Sequence, residues 1–174
     1  MEDLHALPIR RKKLDVDYGV LRVKNIEIRR PRVAADIIRQ YTTGEGCEHL
    51  VALTMDKHLK AIDIRPLTVG TIDQVLASPR DIFQQVTAAQ GAQHFIVGHN
   101  HPSRDLDPSE SDLKLYKWLK ISASLFAGIE FWDGLIVADG TKDYYSFTED
   151  PLYEKWPALW KRDFDSLIEK HFES

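Results

Sequence analysis

The sequence predicts an α/β domain in which helices pack against a mixed β-sheet. Short apolar runs of strand length alternate with segments whose apolar residues recur every three or four positions, in the order α, β-hairpin, α, β, α, β, β. Two of the helical segments open on strong start signals, at Ser78 and at Ser109. Finally, 174 residues with 43% hydrophobic and 29% charged side chains suffice for one compact core and argue against wholesale disorder.

The elements follow in order. Residues 1–15 read as a loosely held tail. Tyr18 to Ile28 has the β-branched content of a strand, with its alternation broken at Lys24-Asn25, where a bulge or register change is expected. Val33 to Tyr41 reads as a short helix with Ile37, Ile38 and Tyr41 on one side, ending in the turn-like T-T-G-E-G at 42–46. Glu48 to Met55 is a buried strand, Asp56-Lys57-His58 a turn, and Leu59 to Leu67 the returning hairpin partner. Ser78, Pro79 and Asp81 supply a cap, a proline at the first helical position and a carboxylate in the first turn, for a helix running to about Ala89 and stopping near Gly91.

His94 to Gly98 is a short apolar strand. Ser109 opens a second helix with Leu113, Tyr116, Leu119, Ala123 and Phe126 along one stripe and Gly128 as terminator. Ile129 to Ala138 and Tyr144 to Phe147 complete the strands. From Pro151, Trp156, Trp160, Phe164, Leu167, Ile168 and His171 form an amphipathic stripe. This aromatic helix is suited to covering the core, or to contacting a partner or a second copy as a homodimer.

Composition narrows the function. No apolar run approaches the ~20 residues that cross a bilayer, so no membrane association is expected. The N-terminus lacks the apolar core and cleavage site of a secretory signal. The single cysteine, Cys47, forms no internal disulfide, which fits a reducing cytoplasm. Residues 1–32 carry nine Lys/Arg against five Asp/Glu within a chain of net charge −4. The basic residues 10–32 are therefore a candidate nucleic-acid contact, although a solvated polar face is the favoured reading, since the excess is modest and no aromatic platform interleaves it.

The chemistry concentrates between His99 and Asp112. Residues two apart on an extended chain project to the same side, so His99 and His101 can aim two imidazoles at one spot. Pro102 to Pro108 is loop material that can swing back into the helix carrying Asp112 in its first turn. Two imidazoles and a carboxylate with a position left open are the ligand set of a catalytic zinc site, whereas a structural site uses four protein ligands. A general base must come from another strand, and Glu48 stands at the head of a buried one. Ser109 is placed to donate its hydroxyl to an oxyanion. Each residue also has a plain structural reading: Ser109-Glu110-Ser111-Asp112 matches a capping box, and Glu48 reads as a strand-end residue.

His-x-His, seven residues, Ser, two residues, Asp is complete here as His99, His101, Ser109 and Asp112, and this resembles the JAMM (MPN-plus) metallopeptidase motif. The string H-N-H-P-S, the segments G-T-I…S-P-R-D-I-F (70–83) and G-I-E-F-W-D-G-L-I-V (128–137), and Y-Y-S-F-T-E (144–149) resemble the bacterial RadC branch. The resemblance divides the chain into a basic N-terminal segment with an edge strand (1–29), a RadC-like JAMM domain (30–150) and an aromatic-rich helical extension (151–174).

It implies a three-layer, cytidine-deaminase-like fold with a curved mixed sheet flanked by helices. It also implies Zn2+ on His99, His101 and Asp112, and Glu48 activating a zinc-bound water to cut peptide or isopeptide bonds, with peptides, proteins or ubiquitin-like conjugates as substrates. RadC proteins carry the traditional label of DNA repair proteins. A nucleic-acid-binding or nuclease factor is therefore the alternative, beside a non-catalytic MPN interaction module.

Three departures stand out. Arg104 replaces the glycine that usually follows H-N-H-P-S, and Gly134 replaces the histidine that usually follows the aspartate matched by Asp133. A helix-hairpin-helix of the kind found in full-length RadC is not read in residues 1–29, which weakens the expectation of DNA binding.

Overall fold

The computed structural model describes residues 19–23, 26–42, 46–69, 77–125 and 128–150. The basic residues 10–18, the break at Lys24-Asn25, most of the T-T-G-E-G turn and the aromatic extension 151–174 lie outside them.

Six strands form one open mixed sheet in the order β1-β3-β2-β4-β5-β6, where β1 is Leu21–Arg22, β2 His49–Met55, β3 Ala61–Val69, β4 His94–His101, β5 Glu130–Ala138 and β6 Tyr144–Ser146. Every pairing is antiparallel except β4 with β5. These two are joined by helix α3 (Glu110–Leu125), since parallel neighbours need a crossover connection. Among the described residues the other helices are α1 (Pro31–Thr42) and α2 (Pro79–Thr87).

Side-chain alternation sorts the core into two halves and the molecule into three layers. Val51, Leu53, Met55, Ile96, Leu135 and Val137 cluster with Ile37 and Ile38 of α1. Leu50, Ala52, Phe95, Val97 and Ile136 cluster with Ile82 and Phe83 of α2 and Leu115 and Leu119 of α3. Both faces of β2 are buried, which is why it reads as a continuous apolar run rather than an alternating one. Gly98 lets α1 approach β4: a Cβ there would stand 2.7 Å from Ile38 Cδ1 and 3.1 Å from the Leu135 carbonyl.

Local signals act as the sequence suggests. Ser78 caps α2, its hydroxyl accepting from the Asp81 amide at 3.2 Å, with Pro79 in the first turn. Asp56 Oδ1 accepts from the amides of His58 and Lys60 at 2.8 and 2.9 Å and closes the β2–β3 turn.

Three expectations are corrected. Among the described residues the first strand is Leu21–Arg22, followed by an isolated bridge from Glu27 to Lys60, and Val23 and Ile28 are buried on either side of the break. Strand β4 runs past Gly98 to His101, since parallel pairing with β5 continues as far as His101 against Ala138. On α3 the buried face is Asp112, Leu115, Tyr116 and Leu119, while Leu113 is exposed and Phe126 lies outside the described residues. Among the described residues, no helix is long and apolar enough to cross a membrane.

Candidate metal centre

The site forms where the C-terminal end of β4, the N-terminal end of β2 and the first turn of α3 meet. Parity explains its membership. On β4, His99 shares a face with Phe95 and Val97, toward α2 and α3, and the α3 helix begins on that same side. Antiparallel pairing of Leu50 with His99 brings Glu48, at the head of β2, alongside the histidines.

The two imidazole Nε2 atoms stand 2.9 Å apart. Glu48 Oε1 lies 3.4 Å from each. On the other side, Asp112 Oδ1 is 3.3 Å from His99 Nε2 and Oδ2 is 3.9 Å from His101 Nε2. Ligand atoms sharing a tetrahedral zinc stand about 3.3–3.4 Å apart, from bonds of about 2.0–2.1 Å. Glu48, His99 and His101 offer ligand atoms all within 4.8 Å of one another and can hold a metal ion. Asp112 completes a ring of two imidazoles between two carboxylates.

The histidines are oriented from behind. His101 Nδ1 donates to the Asp105 carbonyl at 2.6 Å. A carbonyl only accepts, so Nδ1 carries a proton and Nε2 is the ring nitrogen left to face a cation. His99 Nδ1 is 3.1 Å from the Tyr116 hydroxyl. Burial pushes the His99 imidazole below its usual range, Asp112 opposing and His101 adding a smaller push, so the ring is held neutral as metal binding requires.

Asp112 is both capping residue and site carboxylate. Its Oδ2 accepts from the Ser109 amide at 2.9 Å and the Ser109 hydroxyl at 2.7 Å, while the Ser109 hydroxyl accepts from the Asp112 amide at 3.2 Å. This capping box holds Oδ2 and leaves Oδ1 turned toward His99. It is also favoured by the positive end of the helix dipole. Ser109 itself is exposed, its hydroxyl engaged with Asp112. The side chains of His99 and Asp112 are 0% and 2% exposed, those of His101 and Glu48 14% and 16%, so solvent reaches the centre from the His101–Glu48 side.

Two residues that the sequence reading did not single out serve this centre. Asn100 lies between the histidines, and its side chain accepts from the His49 amide at 2.9 Å and donates to the Cys47 carbonyl at 3.1 Å. It thereby grips the backbone on both sides of Glu48. Tyr116 stands four residues after Asp112, one helical turn along the same face, and that spacing was a readable signal. Arg104, standing where the RadC pattern usually has glycine, adopts a left-handed backbone with φ of 66°, at a cost of about 1–2 kcal/mol. Its guanidinium lies against Gly140.

Residues 28–152 match the family described as the RadC-like JAB domain. A UPF0758 protein of Cyanothece sp. is 37% identical over 110 residues, covering 63% of this chain and 44% of its own. One of Clostridium acetobutylicum is 31% identical over 129 residues, 74% of this chain and 55% of its own. One of Streptococcus agalactiae is 41% identical over 103 residues, 59% of this chain and 44% of its own. The chain thus spans about half the length of the curated relatives it matches.

Proposed function

The chain belongs to the RadC-like JAB domain family, and on that premise we propose that it is a zinc-dependent metallohydrolase cleaving peptide or isopeptide bonds. The observation that carries this reading is the convergence of two Nε2 atoms, 2.9 Å apart, between the carboxylates of Glu48 and Asp112. Two imidazoles and a carboxylate suit zinc, and the chemistry of this donor set fits it better than an oxygen-seeking magnesium or calcium.

The roles divide by burial and anchoring. His99, His101 and Asp112 would hold the metal, since Asp112 is buried and pinned by Ser109, leaving one fixed oxygen to offer. Glu48 is more open to solvent and carries its carboxylate on a longer side chain. It is suited to accept a proton from an attacking water and return it to the leaving amine. When bound, zinc supplies Lewis-acid chemistry, polarising the scissile carbonyl and making a water acidic enough to attack near pH 7. The Ser109 hydroxyl would turn from Asp112 to donate to the developing oxyanion. Peptides and ubiquitin-like conjugates are the substrate classes to screen.

Glu48→Gln tests the assignment. The variant is expected to retain zinc while hydrolysis of a substrate found in that screen falls about 10²–10⁴-fold. Hydrolysis at the wild-type rate would rule out Glu48 as the base.

A further inference from the structure

We infer that Tyr116 and Gly134 form a size-matched pair that positions His99 for metal binding, an inference resting on the metal centre proposed above. A Cβ at position 134 would stand 2.6 Å from Cδ1 and Cε1 of the Tyr116 ring and 2.9 Å from Cγ. These separations are far inside contact distance, so the ring lies flat against the backbone of β5 only because residue 134 is glycine. Phe147 closes the pocket, with ring centroids 4.1 Å apart, and Phe131 stacks at 6.2 Å. The ring is 2% exposed and has nowhere else to go.

This seat fixes the phenolic oxygen, which lies 3.1 Å from His99 Nδ1 and 3.5 Å from the Leu135 carbonyl oxygen. A metal on Nε2 requires the His99 proton on Nδ1, and the phenol oxygen is placed to accept it while the phenol hydrogen turns to the Leu135 carbonyl. The result is a relay, His99 to Tyr116 to Leu135, that favours the proton on Nδ1 and the lone pair on Nε2. It does for His99 what the Asp105 carbonyl does for His101. The histidine that the family resemblance expects at position 134 could not coexist with this ring, so the glycine there is the condition for Tyr116 rather than a loss. Tyr116 is a positioning residue, acting on the metal through His99.

Tyr116→Phe removes only the hydroxyl. Outer-shell partners of ligating histidines are worth about 10–100-fold in metal affinity. Zinc affinity, measured by chelator competition, is expected to weaken at least tenfold in Tyr116→Phe, with the visible cobalt(II) spectrum shifted. Gly134→Ala, which pushes the ring off its seat, should move both readouts in the same direction. The melting temperature of the metal-free Tyr116→Phe protein separates positioning from bulk stability. A lowered melting temperature with wild-type zinc affinity and an unchanged cobalt spectrum would overturn the inference and leave the metal centre standing. A wild-type protein that binds no metal would remove both.

Discussion

Asn100 stands where the β2–β4 ladder ends. Backbone pairing between these strands reaches Leu50 and His99, and beyond that point the Asn100 amide takes over, accepting from one peptide group and donating to another two residues away. Asn100 is 0% exposed, so its loss leaves a buried donor at His49 without this acceptor. Asn100→Ala is expected to destabilise the fold by about 1–3 kcal/mol in urea unfolding. A change within about 0.5 kcal/mol, the range of ordinary surface substitutions, would show that Asn100 does not hold Glu48's strand. The histidines were legible in the sequence because a period of two is local. Asn100 was not, because its partners at 47 and 49 lie some fifty residues away and depend on strand pairing. Gly134 could be read only as a departure, since its reason is the ring of Tyr116 on a different element.

At the scale of elements, α3 does two jobs with one motif. Ser109 and Asp112 form a full capping box, and the same carboxylate turns its second oxygen to His99. The two sequence readings, cap and site residue, are compatible in this geometry: a cap holds a carboxylate still, and a metal ligand has to be held still. Ser109→Ala is therefore expected to cost about 1 kcal/mol of stability and to weaken zinc affinity, by calorimetry and chelator competition on one preparation. Lost stability with unchanged affinity would show that Ser109 does not hold Asp112 for the metal. Helices α2 and α3 were readable because caps and prolines are local signals. The extension of β4 through His99-Asn100-His101 was not. A glycine followed by three polar residues looks like a loop until the parallel partner β5 is in place to pair with it.

For the whole molecule, the order of elements along the chain announced a mixed sheet between helices, and the structure has one. The strand order β1-β3-β2-β4-β5-β6 was hidden, because it depends on which non-local edges pair. That order is what makes the site. Placing β2 beside β4 brings Glu48 to the histidines, and the α3 crossover between β4 and β5 returns Asp112 to the same end of the sheet. The end of the sheet at which parallel strands finish is where open α/β sheets bind ligands. The proposed chemistry requires that this end of the sheet be a metal centre. Elemental analysis after loading with zinc and desalting tests it most directly, comparing the wild-type chain with His99→Ala and Asp112→Ala. About one zinc per wild-type chain, lost from both variants while their folds persist by circular dichroism, is the expected result. A folded wild-type chain that takes up no zinc, or variants that hold it as well as the wild type, would contradict the account.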